Sequence, residues 1–307
     1  MTNNTAILTV AIVSTLAGTA LGQQIAAAPE SSELLAPTAA PAAAPAAEEA
    51  AGPNTGRLHF SMGVDVTNAY FFRGIRQEDD GIIVQPYAGL TIDGFKGNNW
   101  ALAFNLGTWN SFHDKGTGTA NDDFSDKWYE SDIILGATLT TGKWTLAATY
   151  TWLTNPSDIL PTVQQIDVTA AYDDTEALGA WALHPTATVT FETDNASDGQ
   201  DEGKYLQLGI APGFSRQFGG NDIAFSFPLT VGLSLGDYYQ DAAGEDDTFG
   251  YASLGAKAAI PLPVAKDFGA WTLNASVTGL LLGDNTKIFN EDDESELIVS
   301  VGLSATY

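Results

Sequence analysis

The 307-residue chain contains no cysteine and two methionines, and it carries 12 Lys+Arg against 38 Asp+Glu. Without cysteine there is no disulfide framework and no thiolate chemistry. The shortage of basic residues leaves a formal net charge of -26, which argues strongly against nucleic acid as a partner because phosphates would be repelled. No H-E-x-x-H, G-x-S-x-G or P-loop pattern occurs, and His59, His113 and His184 lie far apart in the sequence. The sequence therefore predicts no catalytic residue, no metal site, no cofactor and no enzymatic activity. Also missing beyond Arg57 is any sustained 3.6-residue period.

What is present divides the chain into three parts. Residues 6–21, AILTVAIVSTLAGTAL, form an apolar run ending in small residues. This reads as a signal peptide over residues 1–22, although MTNNT supplies no Lys or Arg before it; an uncleaved anchor is the alternative. Residues 23–56 are dominated by Ala, Pro and Glu, as in APTAAPAAAPAAEEAAGP. Repeated proline forbids a long helix, so this segment is expected to be a disordered linker. Residues 57–307 form the folded part.

That part alternates. In RLHFSMGVDV, the residues Leu58, Phe60, Met62, Val64 and Val66 share one face, and His59, Ser61, Gly63, Asp65 and Thr67 share the other. Successive side chains of a strand point to opposite sides, so this is a two-faced strand. Twelve such units follow one another, each about ten to thirteen residues long. The opposite faces are small or polar, as with Thr145, Ala147, Thr149 and Thr151. Pro86, Pro185, Pro212 and Pro228 fall inside the expected strands, where a missing N–H predicts bulges or kinks.

A soluble sandwich would turn the apolar face inward, whereas a membrane barrel turns it toward lipid. Strands of this length suit a tilted membrane crossing, which needs about nine to eleven residues. Short connections such as TTGK (140–143) alternate with longer ones such as 237–248. The last apolar stripe runs in phase to the aromatic Tyr307. Finally, NNWAL, GKWTL, GAWAL and GAWTL each place a tryptophan at the exit of a turn. Indole prefers the headgroup layer. Trp100, Trp144, Trp181 and Trp271, with Tyr307, are thus expected in an interfacial aromatic girdle at the inner side. Tyr70, Tyr129, Trp152 and Phe191 are expected in the outer one. The fold class read from the sequence is all-β, a 12-stranded antiparallel up-and-down transmembrane β-barrel.

The stretch TNAYFFRGIRQEDDG, followed by VQPYAGL, resembles the signature of the TorF-like putative porin family. The matching residues are Tyr70, Arg73, Gly74 and Gln77, with Gln85 in the next strand; Asn68 stands where Ser is usual and Arg76 where Ser or Thr is usual. The resemblance covers about thirty residues and implies an outer-membrane β-barrel of a Gram-negative-type bacterium, with a pore as the family's assumed role.

Strand parity makes Asp65, Gln85, Asn105, Asp132, Asp167, His184, Glu192 and Lys257 candidates to line the lumen, with Arg73 near the outer rim. His59 and His184 share lumen parity near the inner end. The outer loops carry acidic clusters such as Glu291, Asp292, Asp293 and Glu294, which could bind divalent cations loosely. DNASDG (194–199) begins like a calcium loop but has Ala196 and Tyr205 where ligands belong. The expected role is a passive, weakly cation-preferring channel for small hydrophilic solutes or ions. Its partners would be membrane lipid and, during biogenesis, the outer-membrane assembly machinery. A closed structural or surface-interaction barrel is the alternative, and a secreted soluble β-protein that binds glycans is a third.

Overall fold

A computed structural model describes residues 54, 56–117, 124–157 and 160–307. The expected signal peptide, and all of the linker except Asn54 and Gly56, lie outside the described residues.

The strands are β1 (Leu58–Thr67), β2 (Tyr70–Phe72), β3 (Ile75–Glu78), β4 (Ile83–Lys96), β5 (Trp100–His113), β6 (Trp128–Thr141), β7 (Trp144–Thr154) and β8 (Val163–Tyr172). They continue with β9 (Thr186–Asp194), β10 (Lys204–Ile210), β11 (Gly213–Phe218), β12 (Asn221–Ser226) and β13 (Leu229–Gly236), then β14 (Phe249–Pro261), β15 (Ala270–Leu282) and β16 (Ser295–Thr306). Fourteen of these segments form one antiparallel sheet, and it closes on itself through β1–β16, β15–β16 and β14–β15. The hairpin β2–β3 stands apart from that wall.

Fourteen segments make twelve crossings, because two crossings are broken by proline. β10 and β11 are one strand interrupted at Pro212, and β12 and β13 are one strand interrupted at Pro228. The two breaks lie near each other across the sheet, with Phe227 N–H donating to Pro212 C=O over 2.8 Å and Gly255 N–H to Pro228 C=O over 2.8 Å. Pro86 disturbs only one side. Its pairing with β1 is continuous, but the β4–β5 register skips from Val84 to Tyr87. A closed wall with no free edge tolerates proline only where the ladder is interrupted.

The apolar stripes face outward. Leu58, Phe60, Met62 and Val66 of β1 and Leu297, Val299 and Val301 of β16 are exposed, while Asp65 and Thr67 turn inward. A closed ladder has no free edge and pairs its backbone groups internally outside the proline breaks, so this wall can sit in hydrocarbon. The short turns 97–99, 142–143 and 219–220 lie at one end, and residues 114–117 and the loops 195–203, 237–248 and 283–294 at the other. We take the short-turn end as the inner, periplasmic one.

Two expectations need correction. The unit expected to start at Trp181 begins at Thr186 instead. Thr175–Leu178 and Gly179–Trp181 are helical turns, and Trp181 stands 83% exposed beside the wall. His184 adopts φ 49, which takes that segment out of the extended conformation. Tyr70 and Tyr129, expected in the outer girdle, are instead buried inside the barrel. Alternation alone could not separate an outward aromatic from one covered by a loop folded into the lumen.

Candidate functional site

The lumen is divided in two by the first outer loop. After β1 the chain turns inward, and β2 and β3 form a hairpin between the walls. Its two-residue turn is Arg73-Gly74, with φ of 47 and 85. Positive φ at both positions matches the hand of a tight hairpin, and glycine supplies the second position without strain. A Cβ on Gly74 would also lie 2.9 Å from Cβ of Tyr251.

The hairpin is anchored at its tip. Arg73 Nη1 donates to Gln165 Oε1 at 3.1 Å and to the Tyr238 hydroxyl at 2.8 Å. Its Nη2 reaches Asp167 Oδ1 at 3.1 Å, with both side chains almost wholly buried. The guanidinium lies over the rings of Phe72 and Tyr205, 4.6 and 4.5 Å from their centroids. Asp167 also accepts from Gln165 Nε2 at 3.1 Å and from the Thr190 hydroxyl at 2.5 Å. Further contacts hold the rest of the hairpin. The Tyr239 hydroxyl donates to Arg73 C=O at 2.8 Å, and Asn290 Nδ2 donates to Gly74 C=O at 2.8 Å. The Tyr70 hydroxyl donates to Glu130 Oε2, and the Tyr129 hydroxyl to Gln77 Oε1, both at 2.9 Å.

Apolar packing closes the remaining space. Tyr70 and Phe72 join Ile83, Trp109, Tyr129, Ile134, Leu153 and Val163 against one side of the wall. Ile75 joins Tyr205, Tyr238, Tyr239, Tyr251, Leu280 and Leu282 against the other. Residues of parity pointing inward thus form a dry outer half, supplied in part by loop 237–248.

Below it lies a vestibule of about 500 Å³ lined by small and polar side chains. Its lining includes Asp65, Lys257, His184, Gln207, Asn274 and Ser276. On β7, β8 and β9 the lining reaches Ala147, Thr169 and Thr188 but stops short of Thr149, Asp167 and Thr190. The roof therefore falls at the rung where Arg73 meets Asp167. In the middle of this wall Gly302 makes room for an acid, since a Cβ there would sit 1.7 Å from Asp65 Oδ1.

The expected lumen residues separate accordingly. Asp65, His184 and Lys257 line the vestibule, and Gln85 pairs in register with Asp65. Asn105 is buried in a hydrogen-bonded row, accepting from the Thr91 hydroxyl at 3.1 Å and donating to Thr138 at 2.9 Å. Asp132 and Asp167 are enclosed above the roof. Glu192 staples loop 195–203, accepting from Ser197 N–H and Gly203 N–H, each at 2.8 Å. Arg73, expected near the rim, is buried at the centre. His59 and His184 are not brought together: His59 lies 3.7 Å from Asp93, and His184 lies 3.9 Å from Asp174.

Of the aromatics expected in the girdle, Trp100 and Trp144 open β5 and β7 half-exposed, and the Trp144 ring lies 4.8 Å from that of Tyr172. Trp271 Nε1 donates to Phe268 C=O at 2.8 Å in the neighbouring inner turn, and Tyr307 is exposed at the end of the chain. Among the described residues no group of three or more His, Asp and Glu is placed to hold a metal ion. In the segment resembling a calcium loop, Asp198 accepts from Gln240 N–H at 2.9 Å and Gln200 N–H at 3.0 Å, tying two outer loops together. Burial pushes its carboxyl up to about 6, against the pull of those N–H groups.

Sequence reasoning missed the plug and the part played by Tyr238 and Tyr239. A signal was there: Tyr70 and Phe72 put aromatics of one parity just before an Arg-Gly turn, inside a loop otherwise acidic. It also missed a Ser–His contact. Ser111 Oγ lies 2.9 Å from His113 Nε2, both fully enclosed beneath the hairpin.

A closed twelve-stranded wall, apolar outside and polar within, defines a bacterial outer-membrane β-barrel. No family model and no curated protein matches the chain. Among solved structures it is similar to the β-domain of the Bordetella autotransporter Brka, with 14% identity over 82% of this chain and 99% of that one, TM-score 0.41. It is also similar to the outer membrane phospholipase A from Escherichia coli, with 10% identity over 81% and 92%, TM-score 0.40. The porin NanC gives 10% identity over 80% and 98%, TM-score 0.39. Scores this low carry no weight for function, and the class rests on the wall itself.

Proposed function

We propose that the chain is an outer-membrane channel for small hydrophilic solutes or ions, held shut by its first outer loop. The observation that carries this reading is the division of the lumen. A vestibule of about 500 Å³ lined by small and polar side chains occupies the inner half, and the hairpin fills the space between the walls above it, with loop 237–248 packed against it. Release of that hairpin would join the vestibule to the outer surface. With Asp65 and Lys257 both lining the vestibule, selectivity there is weak. The acidic outer loops supply a mild preference for cations. The resemblance to the TorF-like family gains a physical sense in this reading, since Tyr70, Arg73, Gly74 and Gln77 all build the plug. The reading is non-enzymatic. Membrane lipid and the assembly machinery remain its partners.

The second reading is a closed structural barrel. It is favoured by the density of the outer half, where Phe72 is 0% and Ile75 2% exposed. Solute-driven swelling of liposomes separates the two. A barrel whose residues 70–78 are replaced by a short Gly/Ser link should admit small sugars if the hairpin is the barrier. A folded, hairpin-free barrel that admits none would leave the closed reading standing.

A further inference from the structure

Glu130 and Asp132 occupy successive inward positions of β6, 3% and 0% exposed. No donor with regular geometry reaches either oxygen of Asp132 or Oε1 of Glu130; the two carboxyl groups face each other, and the Thr154 N–H lies toward Asp132. Asp132 lies in register between Trp109 of β5 and Leu153 of β7, both buried and apolar. The groups facing the pair are few. From the hairpin comes the Tyr70 hydroxyl, which donates to Glu130 Oε2, with Gln77 beyond it on Tyr129. From β5 come Ser111, opposite Glu130 in register, and His113, stacked on Tyr129 at 4.5 Å. From β7 come Leu153 and Thr151. The guanidinium of Arg73 is committed to Asp167.

Two carboxylates cannot both stay charged in an apolar enclosure without a counter-charge. A metal ion would need several more oxygens than two side chains offer. We propose that the pair is a proton site, in which one proton is shared between Glu130 and Asp132 while the hairpin is docked. A row of polar contacts runs from the outer side as far as Ser111, which faces Glu130 in register. The Thr117 hydroxyl donates to Glu78 Oε2 at 2.6 Å, Thr117 also contacts His113 Nδ1, and His113 Nε2 meets Ser111 beside Glu130. Loss of the proton to the outer medium leaves two negative charges under Tyr70 and drives the hairpin out. The site stands without the channel reading; only its consequence for opening rests on that reading.

Infrared difference spectra test the site directly. The spectrum of the wild type minus that of the E130Q/D132N variant, both folded in detergent at neutral pH, should show the carbonyl stretch of one protonated carboxyl group, shifted in heavy water. Absence of that band overturns the proposal, and so does one tightly held metal ion per chain. The consequence is read by thiol labelling, which is clean because the chain has no cysteine. Ile75→Cys, buried in the hairpin, is compared with Gly244→Cys in an exposed loop, so that thiol ionisation cancels. The labelling ratio should rise about tenfold from mildly acidic to mildly alkaline pH, and stay flat in the E130Q/D132N background. A ratio that rises equally in both backgrounds removes the pair from control of the hairpin. If labelling follows pH but no conductance develops, the proton site survives and the channel reading fails.

Discussion

Replacing Arg73 with alanine tests how the hairpin is held. The arginine is the only cation on Asp167 among the described ion pairs, and both side chains are almost fully enclosed. Removing one partner of a buried pair costs about 3–5 kcal/mol, because the remaining charge is stranded. Asp167 keeps its bonds from Gln165 and Thr190, which favours the lower end of that range. Loss of the guanidinium from the rings of Phe72 and Tyr205 adds about 1 kcal/mol. The stranded carboxylate is relieved once the hairpin leaves and water enters, so the cost falls on the closed state. With about 1.4 kcal/mol for each factor of ten, the released population rises roughly hundredfold to a thousandfold. Planar-bilayer recording should show this as a higher fraction of time open in Arg73→Ala than in the wild type. The double variant R73A/D167A should be less perturbed than the sum of the single variants, since neither charge is left alone. A folded Arg73→Ala barrel, verified by heat-modifiable migration, with unchanged open time would refute the reasoning.

Gly74→Ala places a side chain at φ 85 against Tyr251, so the docked hairpin should lose about 1–2 kcal/mol and exchange its amide hydrogens faster. Gly302→Ala drives a methyl into Asp65 Oδ1 and should cost the refolded barrel about 1–3 kcal/mol, seen as a lower urea midpoint. Asp198 has its pKa raised to about 6 when folded, so the folded loops bind its proton more tightly than the unfolded chain does. Its contribution to loop docking is therefore greatest at low pH, falls as pH rises through about 6 and is level above. Hydrogen exchange in loops 195–203 and 237–248 should show greater protection at pH 5 than at pH 7.5 after correction for intrinsic rates, and Asp198→Asn should flatten that difference.

The wall was legible because two-residue alternation is a local signal. Phe60, Met62 and Leu135 face out, and Ser61, Gly63 and Thr149 face in, as parity requires. The prolines were legible as trouble but not in kind, since whether Pro212 breaks a strand or Pro86 merely interrupts one side depends on the neighbouring ladder. Trp181 misled because W-x-L at a turn exit reads the same whether the turn is tight or helical. The site was least legible. Arg73, Asp167, Gln165 and Tyr238 are separated by up to 165 residues and meet only because a loop folds inward, which no period in the sequence records. The motif residues were singled out by resemblance, but their burial was not, and parity gave no sign that Asp132 is fully buried between Trp109 and Leu153.

The most direct measurement asks whether the outer surface can reach the vestibule. Ser276 lines it, and a single Ser276→Cys can be exposed on intact cells to a maleimide that does not cross membranes. The account predicts negligible labelling from outside in the otherwise wild-type chain, and rapid labelling once residues 70–78 are replaced by a short link. Equal labelling of the two from outside would contradict it, because the hairpin would then not be what closes the lumen.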